Sequence, residues 1–285
     1  MAVDTQAFRL LLAARKAGAD FSQTVTFGRQ CFFPKRSHVA RELSRANLGI
    51  TEEAIGEMRH CYAERFFQAL GARKQDSIDA SAYEGATIVH DLNLPVPAEL
   101  RGKYTLVYDG GTSEHVFNYP QTLANAMRLL AVGGHFVTMT AGNNLSGHGF
   151  YQVSPELFFR VFSGANGFGI VAVLLADARA GGPFFRVADP ASAKERIEFV
   201  SARPYLVAAI ARKVEDVAEL QAAPRQSDYQ RAWENPAGRN GQGKLVREVR
   251  RVLRGTRRHL GRWFYLPWQS KGITHLSGSQ LYGLR

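Results

Sequence analysis

The sequence predicts an α/β fold, in which helices cover both faces of a doubly wound, mostly parallel sheet. Short β-branched or apolar runs alternate with helix-like stretches over about 200 residues, as strand–helix–strand units require. Three of these runs, over residues 77–79, 86–91 and 104–109, end in aspartate. Ligands of open α/β sheets bind beyond the carboxyl ends of the strands, so these three ends are the first candidates for a functional site.

The N-terminal part is predicted to contain a helix, a strand and a longer helical region. Apolar residues at helical spacing favour a helix over 4–17, and the β-rich run 24–28 favours the first core strand. Residues 35–71 are predicted to be helical, with Thr51 as a cap before two glutamates. The segment 32–75 is longer than a simple crossover, which indicates a helical insertion that could act as a lid.

The rest of the body continues the alternation. Gln121 to Leu130 carries the apolar stripe of a helix, and Ser154 followed by Pro155 is a strong helix start, because proline is favoured at the first helical position. The remaining apolar or β-branched runs predict strands over residues 135–140, 170–175, 184–187, 197–200 and 205–210.

Charge separates a body from a tail. The formal net charge is +11, and residues 225–285 hold thirteen Lys and Arg against three acidic residues, so the rest of the chain is nearly neutral. Residues 222–243 are rich in Pro, Gly, Asn and Gln, which is typical of a linker. We therefore expect an α/β domain over 1–221, a linker over 222–243 and a basic amphipathic tail over 244–285.

The role of the basic tail is open between three interpretations. A solvated charged extension is the simplest. Apolar and aromatic side chains opposite arginines over 244–268 also fit an interfacial helix on an anionic membrane or glycolipid surface. Nucleic-acid binding is the least favoured, because the body shows no platform of aromatic and basic residues.

Cysteine usage and the N-terminus favour a cytoplasmic protein. Cys31 and Cys61 stand thirty positions apart without a CxxC pair, which gives neither a disulfide framework nor a zinc signature. The N-terminus lacks a basic n-region, and no apolar run reaches the roughly 18–20 residues that span a bilayer. We expect a cytoplasmic location, and under the membrane interpretation of the tail the protein would lie at the inner membrane face.

The stretch 104–115 is the strongest candidate site. An apolar strand ends at Asp109, and the following Gly110-Gly111 permits a sharp turn or a close approach to a ligand. The pair Glu114-His115 then stands at the start of a predicted helix. An acidic strand end, two glycines and a Glu-His pair together indicate a ligand site.

Five motifs follow one another along the body. They are Ser77-Ile78-Asp79-Ala80-Ser81, His90-Asp91-Leu92-Asn93, Tyr108-Asp109-Gly110-Gly111 with Glu114-His115, Leu130 to Phe136 with Gly133-Gly134, and Gly147-His148-Gly149-Phe150-Tyr151. In this order, over roughly residues 20–212, they resemble the class I S-adenosylmethionine-dependent methyltransferases. Within that family, the chain is most similar to methyltransferase-like proteins that occur with bacterial glycan or secondary-metabolite genes.

The resemblance implies a Rossmann-like fold and S-adenosyl-L-methionine as the cofactor. The acid that ends the second strand would accept hydrogen bonds from the ribose hydroxyls, because a carboxylate is acceptor-only and takes two donors at once. The cofactor-binding residues implied are Asp79, Ala80 and Ser81 beside the ribose; Asp91, Leu92 and Asn93 by the adenine; and Asp109, Gly110, Gly111 and Thr112 under the methionine part and the methyl group.

The first strand departs from the family's pattern. Family members carry a glycine-rich loop there, which lets the backbone approach the amino-acid part of the cofactor. This chain has a single glycine in that loop, followed by Arg29 and Gln30. We expect Gly28, Arg29 and Gln30 to contact the cofactor, with Arg29 either binding the cofactor carboxylate or filling the space that the cofactor needs.

Catalysis is expected from Asp109, His115 and His148. The two histidines are candidate general bases for an acceptor hydroxyl, since imidazole titrates near neutral pH. Other residues expected to contact the acceptor are Glu114, Asn143, Asn144 and Tyr151. No metal is expected, because the Glu-His pair that binds a divalent metal in some methyltransferases is accompanied there by a glutamate three positions earlier, where this chain has Gly111.

The leading hypothesis is an enzyme that transfers a methyl group from S-adenosylmethionine to an oxygen of a sugar, a glycan precursor or another small molecule. The altered first loop motivates a second hypothesis, a methyltransferase-fold protein that no longer methylates and acts as a ligand-binding or scaffold protein near a membrane. A nucleic-acid-binding protein that acts through the basic tail is the third.

Overall fold

A large central sheet organises the computed structural model, which describes residues 2–56, 62–194, 196–217, 220–234 and 272–284. In chain order the strands of these residues are β1 (Ala2–Val3), β2 (Gln23–Phe27), β3 (Cys31–Phe32), β4 (Lys74–Asp79), β5 (Ile88–Val89), β6 (Tyr104–Asp109), β7 (Leu130–Asn143), β8 (Phe168–Asp177), β9 (Phe184–Val187), β10 (Tyr205–Lys213) and β11 (Ile273–Leu276). β1 pairs only with β3, and the other nine strands form one sheet in the order β11-β9-β8-β10-β7-β6-β2-β4-β5.

The sheet is mostly parallel, as predicted. β5, β4, β2, β6 and β7 are parallel neighbours, and each later pairing, through β10, β8, β9 and β11, is antiparallel. Only β9 and β10 therefore run against the other seven described strands of the sheet. From β2 the chain winds outward to β4 and β5, and it then returns to the other side of β2 with β6 and β7. The direction of winding thus reverses between β2 and β6, as in a doubly wound Rossmann-like α/β fold.

Several helices, among them those over Thr5–Lys16 and Pro155–Val161, begin at a capping side chain. The Asp4 carboxylate accepts hydrogen bonds from two backbone N–H groups at 2.9 Å, and the Ser154 hydroxyl accepts one before Pro155, which confirms the predicted start. The helices are α1 (Thr5–Lys16), α2 (Arg36–Ala46), α3 (Glu52–Ile55), α4 (Glu64–Ala69), α5 (Tyr119–Leu129), α6 (Pro155–Val161), α7 (Pro190–Ala193) and α8 (Ser227–Glu234). None of these helices is long and apolar enough to cross a membrane.

Two hydrophobic cores form on opposite faces of the sheet. Side chains of α1, α2 and α4 pack on one face with Leu106 and Tyr108, and those of α5 and α6 pack on the other with Tyr104 and Val107. Neighbouring residues of β6 thus enter different cores, because successive side chains of a strand point to opposite faces. This double cover explains the continuous apolar run that predicted the strand.

Two predicted elements differ in the structure. The helical region 35–71 contains separate short helices, since Asn47 ends α2 in the left-handed conformation and Gly56, at φ 77°, ends α3. Residues 197–200 are not one of the nine strands. Their apolar side chains pack instead, with the Phe199 ring 4.6 Å from that of Tyr205. All four residues are partly buried, and within this run only Glu198 forms an isolated β-bridge.

The end of the chain belongs to the folded body. Residues 272–284, which the charge analysis groups with the tail, contain β11, paired with β9, and a 3-10 helix over Gln280–Gly283. Residues 227–234 of the predicted linker form α8. The basic stretch 244–271 lies outside the described residues, and with it the whole of the predicted membrane-binding segment 244–268.

A buried carboxylate joins α1, α2 and the end of the chain. Glu42 is fully buried and receives the Tyr282 hydroxyl at 2.9 Å, with Arg9 at 3.4 Å, Arg41 at 3.0 Å and Arg45 at 3.1 Å. Burial by itself would raise the pKa of Glu42. The nearby Arg9 charge, the Tyr282 hydroxyl and the other two arginines outweigh it, so the pKa lies below its usual value.

Glu42→Gln is expected to lower the free energy of unfolding by about 3 kcal/mol, because it leaves the buried Arg9 without its counter-charge. Urea denaturation at pH 7 measures the loss. Glu53→Gln, on the exposed side of α3, is the matched control and should change stability by less than about 0.5 kcal/mol. Equal stability of the two variants would contradict the structural role of Glu42.

The stability difference between the native chain and Glu42→Gln should also depend on pH. The folded pKa is depressed, so the contribution of Glu42 is present above the unfolded pKa of about 4.3 and is lost as the pH falls through the folded value. When the denaturation is repeated below pH 4, the difference in free energy of unfolding between the two proteins should therefore be smaller. A stability difference that grows on acidification would contradict a lowered pKa of Glu42 in the folded protein.

Candidate functional site

A cavity of about 370 Å³ opens beyond the carboxyl ends of β4, β5 and β6, next to the point where the winding reverses. This is the place where open α/β sheets bind ligands. The volume lies at the lower end of the range usual for small-molecule sites. Its lining residues are Ile78, Asp79, Ala80, Asp91, Leu92, Asn93, Thr112, His115 and Val116. Seven of them are predicted site residues, and Ile78 and Val116 are additions.

Asp79 ends β4 on one wall of the cavity. Its Oδ1 atom accepts the backbone N–H of Ser81 at 3.3 Å, and its side chain is half-buried. This single long contact leaves acceptor capacity on the carboxylate, since two carboxylate oxygens offer about four lone-pair directions. Ser81 itself is exposed and does not line the cavity.

The loop 91–96 forms the neighbouring wall. Asp91 accepts the backbone N–H of Asn93 at 2.9 Å and its side-chain amide at 2.8 Å, and these bonds lower the pKa of Asp91. Leu92 is buried and gives the wall its apolar surface. The loop is held from behind by Asn125, whose amide donates to the carbonyls of Leu92 and Leu94 at 3.1 and 2.9 Å. Asn125 was not predicted as a site residue, because its position inside an amphipathic helix gives no local sequence signal.

Asp109 holds a turn and does not face the cavity. It is fully buried and accepts the backbone N–H groups of Thr112 at 3.0 Å and Ser113 at 3.2 Å, and its other oxygen accepts the Thr138 hydroxyl at 3.2 Å. Burial raises the pKa of Asp109 more than these hydrogen bonds lower it. The hydrogen bonds to the Asp109 carboxylate fix the turn that follows β6. Its contribution to the site is therefore to position Thr112 and His115.

Arg29 is engaged by the protein itself. Its guanidinium donates to Glu64 at 2.7 Å and to the carbonyl of Glu84 at 3.0 Å, and it lies 3.7 Å from the centre of the Tyr62 ring. Gly28, at φ +65°, makes the turn that leads into this residue. Arg29 thus ties the loops after β2 and β4 together, away from the cavity lining.

Gln30 fills the crevice between β2 and β6. Its side chain is 2% exposed, and its amide donates to the carbonyl of Phe27 at 2.7 Å. A Cβ atom on Gly110 would lie only 2.3 Å from Gln30 Oε1 and 2.7 Å from the Tyr108 ring. Gly110 is therefore required by packing against Gln30 and Tyr108, and Gly28, Gly110 and Gly111 do not line the cavity.

Glu114, His115 and His148 form a cluster at the edge of the cavity. Glu114 is 1% exposed, and its Oε1 atom lies 3.4 Å from Nε2 of the exposed His148, while the rings of His115 and His148 are 4.9 Å apart. Burial, and after it the charge of Asp109, raises the pKa of Glu114 to about 7. Burial and the neighbouring His148 lower the pKa of His115, which favours the neutral imidazole.

The loop 144–151 brings His148 to this cluster. The backbone N–H of Phe150 donates to the carbonyl of Glu114 at 2.7 Å, and the Tyr151 hydroxyl donates to the carbonyl of Phe117 at 2.7 Å. Gly149, at φ +67°, lies so close to Glu114 that a Cβ atom would be 2.8 Å from its carbonyl oxygen. Tyr151 thus anchors the loop.

Asn143 binds strand β10 and Asn144 binds the segment just before it, and neither lines the cavity. The side-chain oxygen of Asn143 accepts the backbone N–H of Tyr205 at 2.8 Å, and the amide of Asn144 donates to the carbonyls of Ser201 and Arg203 at 3.0 Å each. The sequence alone does not distinguish the polar residues at the end of β7 that face the site from those that hold the neighbouring strand.

Solved structures of methyltransferases share parts of this fold. They include the 1,6-didemethyltoxoflavin-N1-methyltransferase of Burkholderia thailandensis (16% identity, 74% of this chain and 80% of that chain, TM-score 0.41), the N-methyltransferase NodS of Bradyrhizobium japonicum (15%, 73% and 85%, 0.39) and a geranyl diphosphate methyltransferase (12%, 74% and 85%, 0.41). No family model and no curated protein matches the chain. Likenesses of this size carry no inference about activity.

Gly110→Ala is expected to lower the free energy of unfolding by about 1–3 kcal/mol, because the new methyl group enters filled space. Gly147→Ala is the matched control, since nothing lies within 4 Å of its added Cβ. In the double variant Gly110→Ala/Gln30→Ala the loss should be smaller than the sum of the two single losses. Urea denaturation of the native chain, the two single variants, the double variant and the control measures these losses, and strict additivity would rule out the contact.

Proposed function

We propose that this protein is an S-adenosylmethionine-dependent methyltransferase that acts on a hydroxyl group of a small molecule, such as a sugar or a glycan precursor. The observation that supports it is the composition of one cavity. Asp79 with Asp91, Leu92 and Asn93 lines one side, and Thr112 with His115 lines the other. The cavity lies beside the reversal of winding, where doubly wound sheets bind nucleotide-like ligands.

The two walls suit the two parts of a nucleoside. Asp79 retains acceptor capacity for two neighbouring ribose hydroxyls, which a carboxylate takes as a pair. Leu92 and the adjacent Ile78 offer apolar surface to an adenine ring, and the ordered loop 91–96 needs no rearrangement to do so. A preformed wall of this kind lowers the entropy cost of binding.

Methyl transfer to a hydroxyl requires an acceptor oxygen in line with the methyl–sulfur bond and a group that takes the proton. The methyl donor is already activated as a sulfonium, so positioning supplies much of the acceleration. His115 is exposed on the cavity lining, and its lowered pKa keeps the ring neutral and able to accept a proton. His148, 4.9 Å from it, is the second candidate base.

Gln30 and Arg29 favour an alternative function. The glycine-rich loop of the resembling family is replaced by a buried glutamine in the crevice and by an arginine bound to Glu64. A protein that uses the adenosine-sized cavity for another nucleoside-like ligand, without methyl transfer, fits this filled crevice. The two functions differ in one property, which is affinity for the complete cofactor.

Calorimetry with S-adenosylhomocysteine distinguishes them. Binding in the micromolar range is expected under the proposed function, and Asp79→Ala should weaken it more than tenfold, because it removes a charge-assisted pair of hydrogen bonds. Glu52→Ala, an exposed carboxylate on α3, is the control and should bind like the native chain. Absence of binding by folded native protein would sink the methyltransferase proposal, and an unchanged affinity in Asp79→Ala would remove the ribose role.

A further inference from the structure

The Glu114, His115 and His148 cluster has the composition of a metal site. Two imidazoles and one carboxylate, with open positions for other ligands, are the donor sets of several catalytic zinc and non-haem iron centres. In this chain one ligand atom from each residue can be chosen so that all lie within 4.8 Å of one another. No metal was expected from the sequence, because Gly111 stands where the metal-binding family members have a glutamate. In the structure His148 approaches from a different loop and supplies a third donor.

The distance between two of the donors fits a shared ion. Two ligand atoms that are each about 2.1 Å from a tetrahedral ion lie about 3.4 Å apart. Glu114 Oε1 and His148 Nε2 are 3.4 Å apart. The same separation is long for a direct hydrogen bond, whose donor and acceptor are usually within 3.2 Å. A shared ion would therefore hold these two atoms at the separation that they already have.

Glu114 provides an independent observation. Its carboxylate is 1% exposed, and its Oε2 atom makes no hydrogen bond with any described residue. The other carboxylate oxygen, Oε1, faces His148. A buried carboxylate oxygen without a hydrogen bond is costly, and buried carboxylates are normally paired or coordinate metals.

We propose that Glu114, His115 and His148 bind one divalent first-row transition ion, for which Zn²⁺ is the reference. Nitrogen donors disfavour Mg²⁺ and Ca²⁺, which prefer oxygen ligands. The backbone bonds from the 144–151 loop to Glu114 preform the arrangement, so little chain ordering accompanies binding. His115 belongs both to the cluster and to the cavity lining, which puts the ion at the cavity edge.

The catalytic role of the ion rests on the proposed function. Bound to the acceptor hydroxyl, it would lower the pKa of that hydroxyl in place of a histidine base. The hydroxyl proton passes to solvent water, and the oxygen forms a bond to the methyl carbon of S-adenosylmethionine. The carbon–sulfur bond breaks with its electron pair on sulfur, which leaves the neutral thioether.

Calorimetry of the chelator-treated full chain with Zn²⁺, and visible absorption with Co²⁺, test the site. One ion per chain is expected. His148→Ala, His115→Ala and Glu114→Gln should each weaken binding by at least about a hundredfold, because each removes a direct ligand. His90→Ala is the matched control and should bind like the native chain, and excess Mg²⁺ should not compete.

His148→Ala keeps the test decisive if Glu114→Gln fails to fold, since its side chain is 52% exposed. Undiminished Zn²⁺ affinity in His148→Ala, or no Zn²⁺ binding by the native chain, would overturn the proposal. Titrating S-adenosylhomocysteine in the presence of chelator separates the two proposals. Zn²⁺ binding without cofactor binding leaves the metal site standing and removes only its role in methyl transfer.

Discussion

The buried carboxylate of Asp109 is the constraint from which the candidate site follows. It accepts two backbone N–H groups of the turn that it begins and the Thr138 hydroxyl of the neighbouring strand β7. The turn is therefore fixed relative to two strands at once. Thr112 and His115 reach the cavity, and Glu114 points back toward the interior, because the 3-10 helix Ser113–His115 starts from this anchored turn. Loss of the carboxylate would leave several buried N–H and O–H groups without an acceptor.

The core of the fold could be predicted because its signals are local. The ends of β4 and β6 at Asp79 and Asp109 coincide with the ends of apolar runs, and the start of α6 follows from a serine and a proline. The edge of the sheet could not be predicted in this way. β11 pairs with β9 across some 86 positions of sequence, and the basic composition around it favoured a tail. Strand pairing over such separations depends on the assembled sheet, so a short stretch of sequence carries no signal for it.

The same distinction applies to the site. Asp79, Asp91, Leu92, Asn93, Thr112 and His115 were predicted because each stands at or just after a strand end, and all six line one cavity. Asn143 ends β7 and Asn144 follows it, but their hydrogen bonds go to β10 and to the segment just before it. The approach of His148 to Glu114 depends on how Phe150 and Tyr151 dock the loop, which no spacing rule contains.

The loop after β2 lacks the family's glycines, but it offers the cofactor a possible hydrogen-bond partner. Gln30 fills the crevice, yet its Oε1 atom and the Tyr108 hydroxyl are both buried without a hydrogen bond among the described residues. An unsatisfied buried acceptor costs about 1–3 kcal/mol. A ligand that brings a hydrogen-bond donor to Gln30 would recover part of that cost. Under the proposed function, the ammonium group of the methionine moiety is such a donor. A side-chain amide would then serve where the resembling family uses glycine backbone.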